Sequence, residues 1–356
     1  MTARRLGDAL TPVVSSVLAA IVALALGGVF LWLRGKDPWT VYRLMYERGP
    51  GADYGLSESA IRMAPLLIIG AGLLVSLRAG VWNIGIDGQF LLGAFMTGVI
   101  TPALLDSVGR PVALVAGILA GIAGGVLWAL GPALLKIWFG LNEIITTLML
   151  NYLAINVTAW LVKGPARDES VVAPQTRVIP VADRLPDIPG TDVHIGLLIG
   201  VFAVLVVAVF FRRTLPGFRL DVLGRNLRAA RYAGFPVKRL TAAALLTSGA
   251  MAGLAGANDV LGVQGVFKGN WNPGYGFAAF AIVYLARLKP LALIPAAAFL
   301  AMLTIGGELA SRPADTPVYF VSLLEGLLLL SLAAAAALER RRHRAVTSVS
   351  PAEVTP

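Results

Sequence analysis

Gly80-Val81-Trp82-Asn83-Ile84-Gly85 is echoed by Gly269-Asn270-Trp271-Asn272-Pro273-Gly274. Both read G-x-W-N-x-G. The first runs on into Asp87-Gly88-Gln89-Phe90, the second into Gly276-Phe277. Glycine admits backbone geometries closed to other residues. Asn can satisfy backbone groups released from a helix, and Trp offers a flat face on which a base or sugar ring can stack. The two segments therefore read as matched breaks in a helical framework. One follows the second apolar span and the other the seventh, so they run in opposite orientations and predict an inverted-topology repeat. Breaks in matching spans of two halves point to the solute path of a transporter. A second reading stands beside this one: Trp82 and Trp271 sit in an interfacial belt and the glycines only turn the chain.

The surrounding composition sets the class. Apolar residues make up 57% of the 356 and charged residues 14%, against roughly 25% charged in a soluble domain. Mean hydropathy is +0.77. Lipid offers the backbone no hydrogen-bond partners, so helices of ~20 residues are the default spanning element. Spans are expected at 12–33, 59–77, 88–105, 112–135, 143–162, 194–211, 241–262, 271–286, 290–306 and 317–338. The eighth is short and interrupted by Gly and Pro, which predicts a broken helix. The first is too long for a signal-peptide core of ~7–15 residues and reads as a retained span.

Lys and Arg set the direction. The connector Arg212–Arg239 has eight basic residues and one acid, Asp221, and is expected in the cytoplasm with the tail carrying Arg340, Arg341, Arg342 and Arg344. The connector Lys163–His194 has four basic residues, five acids and five prolines, and is expected outside. The predicted fold is an all-α polytopic membrane protein of about ten transmembrane helices, an inverted repeat and both termini cytoplasmic. Its parts are a cytoplasmic N-terminus (1–11), a transmembrane domain (12–338) and a basic cytoplasmic tail (339–356). The domain carries an extracytoplasmic loop (163–193) and a cytoplasmic loop (212–240). One segment, Arg34–Glu58, falls outside in this scheme despite four basic residues, accompanied by four acids.

Several chemistries are excluded or disfavoured. The net charge of +10 sits between apolar runs and fits anchoring to the cytoplasmic leaflet, not nucleic acid. There is no Cys, and the two histidines, His194 and His343, are far apart, which predicts no metal site and no thiol chemistry. No G-x-x-x-x-G-K-[ST] loop is present. No cofactor is expected.

Glu143, Thr147 and Asn151 recur every four residues along the fifth span and share a face, with Asn142 and Thr146 beside them. Polar groups at membrane depth usually face the bundle interior or a water path. Asn142 also reads as an N-cap and Glu143 as a complement to the helix dipole, which leaves Asn151 unexplained. Gly117, Gly121 and Gly125, and again Gly249 and Gly253, repeat at four-residue spacing and predict close helix packing. Residues 223–234 read as one short amphipathic helix stopped by Gly234 and Pro236. Such a helix either docks in a partner's groove or lies on the lipid surface. Glu325 lies inside the last span without a sequence-derived partner.

Three stretches together resemble a known family. Asn83-Ile84-Gly85-Ile86-Asp87-Gly88-Gln89 is similar to the N-I-G-x-x-G-Q element of nucleoside-type permeases in the ribose and branched-chain amino-acid permease superfamily. Asp87 stands where that element more often has Glu. Asn142 through Tyr152 resembles their second hallmark, and Gly224-Arg225-Asn226 with 229–234 resembles their coupling segment. The resemblance covers roughly 57–338. It implies the membrane subunit of an ATP-binding-cassette importer for nucleosides or a similar small polar solute, without an ATPase site of its own and so not an enzyme. It implies three partners: an ABC ATPase, a second permease subunit and an extracytoplasmic solute-binding lipoprotein. It also implies that this chain, with its long outer connector, is the larger permease. Expected on the solute path are Trp82, Asn83, Gln89, Thr147, Asn151, Trp271 and Asn272. Expected at the ATPase are Arg225, Asn226, Arg228, Ala229, Ala230, Tyr232 and Gly234. The alternative is an ion-coupled transporter using Glu325 or Glu143.

Overall fold

The structure, a computed structural model, describes residues 3–317 and 319–347, with side chains over 14–317 and 319–338. The expected cytoplasmic termini, and the basic side chains of the tail, lie outside the described residues or side chains.

The described residues form helices joined by non-helical connections. α1 (Ala3–Leu33) leads into a short α2 (Pro38–Arg48) and then α3 (Asp53–Arg78). α4 (Ile86–Val108), α5 (Arg110–Phe139) and α6 (Glu143–Lys163) follow on short connections. After a long connector come α7 (Gly196–Arg213), two short helices, α8 (Leu215–Arg225) and α9 (Leu227–Tyr232), and α10 (Val237–Asp259), prolonged by a π-helical turn at Val260–Gln264. α11 (Tyr275–Leu285), α12 (Leu293–Ser311) and α13 (Phe320–Thr347) complete the bundle.

Among the described residues nine helical segments are long and apolar enough to cross a membrane, and they coincide with nine of the ten expected spans. The exception is the eighth. α11 has 11 residues, about 16 Å at 1.5 Å per residue, half of the ~30 Å hydrocarbon core. The expected break is therefore real, and the residues before Tyr275 are not helical.

α3 is the central helix: every residue over 64–76 is buried. α7, α10, α11 and α12 pack around it. α5 crosses α10 through the two glycine stripes: a methyl group on Gly125 would come within 2.8 Å of Gly253 Cα, and one on Gly249 within 2.7 Å of the Gly125 carbonyl oxygen. The four-residue spacing thus serves backbone-to-backbone packing. α2, in the segment with mixed charge, packs Val41 and Met45 against Leu31, Ala310, Phe320 and Leu324. Asp37 caps it by accepting from the Trp39 and Thr40 amides.

The long connector folds back over the end of α10. The Thr176 amide donates to Phe267 O at 3.0 Å, the Ile179 amide to Gly265 O at 2.8 Å, and the Leu185 amide to Leu261 O at 2.9 Å. The opposite end of the bundle carries Arg78, Asp221 and Arg225, which form a three-residue ion cluster at 2.6 and 2.9 Å. This end holds the Lys and Arg excess of the connector 212–239.

The connector between α7 and α10 differs from the single helix expected. It forms two helices, because Asn226 leaves the helical region and its Oδ1 accepts the Ala229 amide at 3.0 Å, starting a new helix in place of continuing the old one. α9 ends where expected, at the left-handed Gly234 (φ +71°).

Candidate functional site

The first W-N segment begins where α3 ends. Gly80 turns the chain at φ +73°, and 81–85 are non-helical before α4 starts at Ile86. Non-helical backbone inside a membrane needs its N–H and C=O groups satisfied by protein. α6 does this. Thr147 Oγ1 accepts the Ile84 amide at 3.1 Å. Asn151 Nδ2 donates to the Ile84 carbonyl at 2.6 Å, and its Oδ1 accepts the Gly88 amide at 2.8 Å. Asn83 Nδ2 donates to Gln89 Oε1 at 2.8 Å and to Ser248 Oγ at 2.9 Å, while its Oδ1 accepts from the Gly85 amide and Gln89 Nε2 at 3.1 Å. Asn83, Gln89, Thr147 and Asn151 are all buried. The structure brings these four predicted residues together as one brace around the broken backbone.

The rest of the fifth-span stripe belongs to the helix start. Asn142 Oδ1 accepts the Ile144 amide at 2.9 Å as an N-cap, and Glu143 pairs with Lys136 at 2.7 Å. Trp82 lies apart from the brace. It is exposed and rests against Phe280 and Tyr284, at centroid distances of 6.3 and 6.2 Å.

The second W-N segment follows the π-helical turn. Gly265, Asn270 and Gly274 adopt left-handed backbone at φ +66°, +65° and +70°. Asn272 is exposed, and among the described residues its Oδ1 accepts the nearby Gly274 amide, at 2.9 Å. Trp271 is half-buried, 5.7 Å from both Phe90 and Phe267. The starts of α4 and α11 meet here. Asp87, in the first turn of α4, accepts the Gly276 amide of α11 at 2.7 Å, so its carboxylate faces the positive end of that helix. Phe90 stands edge-on to Tyr275 at 5.4 Å.

Beside Trp271 opens a cavity of about 290 Å³ lined by Arg62, Asp259, Gln264, Tyr275 and Glu308. It lies beyond the two helix starts from the basic end. Arg62 Nη2 bridges both Glu308 oxygens at 2.9 and 3.0 Å, and its guanidinium lies 5.7 Å from the Tyr275 ring centre. Asp259 is buried, and its Oδ2 has no hydrogen-bond partner among the described residues. A buried carboxylate oxygen without a partner, at the wall of a polar cavity, suits a ligand donor. Sequence reasoning found Trp271 and passed over Arg62, Asp259 and Glu308. The signal was present: Arg62 and Asp259 are charges inside expected spans, rare at membrane depth.

At the basic end the expected coupling residues occupy one surface. Arg225, Asn226, Arg228, Ala229, Tyr232 and Gly234 are exposed, and Ala230 is buried beneath them. Tyr232 is 93% exposed and touches little of its own chain. α8 abuts the first W-N segment directly: a methyl group on Gly80 would lie 3.1 Å from Gly224 Cα.

The family described as the permease component of the branched-chain amino acid transport system matches residues 55–333. The chain belongs to that family. Relatives agree over almost the whole permease. A glucose ABC transporter permease protein of Haloferax volcanii is 34% identical over 89% of this chain and 86% of its own length. A guanosine ABC transporter permease protein of Bacillus subtilis is 27% identical over 94% and 96%. A nucleoside ABC transporter permease protein of Lactococcus lactis is 24% identical over 82% of each. The protein is a multi-pass plasma-membrane permease subunit of an ABC importer; it transports and is not an enzyme, and it works with a partner ATPase. The ion-coupled alternative loses its ground. Glu143 is paired with Lys136, and Glu325 accepts from Thr304 Oγ1 at 3.2 Å, a contact tying α13 to α12.

Proposed function

We propose that this permease imports nucleosides or a similar small polar solute, received in the cavity beside Trp271. The observation that carries the reading is the cavity's composition: a flat aromatic face, a guanidinium and a buried carboxylate oxygen awaiting a donor. Base and sugar rings stack on aromatic faces, and hydroxyls or exocyclic amines donate to carboxylates. The relatives named for guanosine and nucleosides support this substrate class. The 34% identical glucose permease supports a second reading, in which a hexose uses the same carboxylates for its hydroxyls.

Transport proceeds by alternating access. An extracytoplasmic binding lipoprotein delivers solute beneath the connector 163–193, and a second permease subunit pairs with this one. The ATPase engages 225–234 and moves α8, which pulls on Gly80. The contact of Asp87 with Gly276, and the packing of Phe90 against Trp271 and Tyr275, close the floor of the cavity. Trp82, Asn83, Gln89, Thr147, Asn151 and Asn272 line or brace the onward route.

Reconstitution with the cognate ATPase and binding lipoprotein tests this. ATP-dependent uptake of labelled guanosine, competed by adenosine and not by glucose, is the expected result. Competition by glucose alone selects the second reading. Uptake under a proton gradient without ATP sinks both. The chain contains no Cys, so Arg228→Cys gives a single crosslinking site, expected to capture the ATPase in an active complex.

A further inference from the structure

The basic end carries a feature that solute transport leaves unused. A groove of about 510 Å³ runs between α1 and α12, lined by Val17, Ala20, Leu24, Ala296 and Phe299. Its walls are apolar, as suits hydrocarbon. At one end stand Arg287 and Lys289. The same two residues line a second cavity, of about 850 Å³, whose wall also holds Arg78, Arg212 and Arg225. The two hollows adjoin at these residues, one apolar and the other cationic. Asp221, the acid on the cationic wall, is already held between Arg78 and Arg225.

The junction is held rigidly. Arg287 Nε donates to Ser16 Oγ at 3.2 Å, and Nη2 reaches Ser15 Oγ, fixing the guanidinium against α1. Arg287 and Leu288 take left-handed backbone in succession, at φ +50° and +57°. Non-glycine residues persist there only where their surroundings over-determine them, often at ligand clamps.

We propose that this composite groove binds one anionic phospholipid of the cytoplasmic leaflet. An acyl chain fills the α1–α12 groove, and the headgroup phosphate meets Lys289 and Arg212, both exposed at the rim. A free phosphate would leave the apolar half without purpose. A helix of a second subunit would not call for the cluster of cations. Only a negatively charged amphiphile uses both halves, and cationic pockets at the cytoplasmic boundary suit such headgroups.

The test uses the full-length chain, purified in detergent and exposed to phosphatidylglycerol or phosphatidylethanolamine, with bound lipid counted by native mass spectrometry. Retention of phosphatidylglycerol should exceed that of phosphatidylethanolamine by about tenfold. The double variant Lys289→Gln, Arg212→Gln changes only exposed side chains and should lose most of that preference. Ala20→Phe, which fills the apolar half, should release both lipids while leaving the melting temperature in place. Equal retention of the two lipids overturns the proposal. So does displacement by inorganic phosphate, which would mark a free-anion site. Capture of a protein, in place of lipid, by a photo-crosslinker at position 20 in native membranes overturns it as well.

Discussion

The two W-N segments share a sequence pattern and have opposite surroundings. The first, at 80–85, is enclosed: Asn83 is buried and every polar atom of its amide has a partner. From α6, Thr147 and Asn151 bond its backbone at Ile84 and the first turn of α4 at Gly88. In the second, at 269–274, Asn272 is exposed and among the described residues bonds its own turn, and Trp271 looks into a polar cavity. One pattern thus serves as a fixed girder on one side and as a partly open surface on the other. The residue types allow a break in a helix; the neighbours decide whether that break is sealed.

Substitutions can break this contrast. The largest effect is expected from Asn151→Leu, which orphans the Ile84 carbonyl and the Gly88 amide together. Buried orphans cost ~1–3 kcal/mol each, reduced in membranes because the unfolded helices find other partners, so a loss of about 2 kcal/mol is expected. A denaturation series in detergent measures it. Unchanged stability with abolished uptake would instead make Asn151 a solute contact and erase the distinction.

Trp271→Leu should act the other way. Base stacking on an aromatic ring is worth ~1–3 kcal/mol, so uptake should fall about tenfold while stability holds. Asp259→Asn should lower uptake similarly, through loss of the acceptor at the cavity wall. A melting temperature that collapses in either variant, with transport per folded molecule intact, would assign both to packing.

The two positive-φ glycines sharpen the comparison at lower energy. Gly80→Ala meets both the left-handed backbone and Gly224 at 3.1 Å. Gly274→Ala meets the backbone penalty alone, with no atom within 4 Å of the added methyl. The backbone penalty is roughly 1–2 kcal/mol in each, so Gly80→Ala should be the more destabilised. Smallest of all, Asn272→Ala should move stability by less than about 0.5 kcal/mol, as for other exposed sites. A larger drop would show that the second segment is braced after all.

What could be read in the sequence was local. Apolar length located nine spans, and the Gly and Pro content of 269–276 marked the broken eighth. Four-residue spacing gave the glycine contacts of α5 with α10 and placed Thr147 and Asn151 on one face. The task of that face, satisfying backbone 63 to 67 residues earlier, was not legible. Arg62 and Glu308 are 246 positions apart, and no periodicity links them. Asn226 was misread because an N-cap side chain looks the same in sequence as a polar residue on a continuous helix. Membrane charges such as Asp259 announce themselves individually, but their assembly into one cavity depends on how α3, α10 and α12 are arranged.

The close approach of Gly80 to Gly224 has a mechanical meaning. Long side chains between moving parts act as springs, absorbing small displacements by changing rotamer. Here two backbones meet with no side chain between them, and the Arg78–Asp221 pair clamps the joint at 2.6 Å. A shift of α8 by a fraction of an ångström therefore has no slack to consume before it reaches the braced segment at the foot of α4. The joint behaves as a lever without backlash, suited to passing on short strokes.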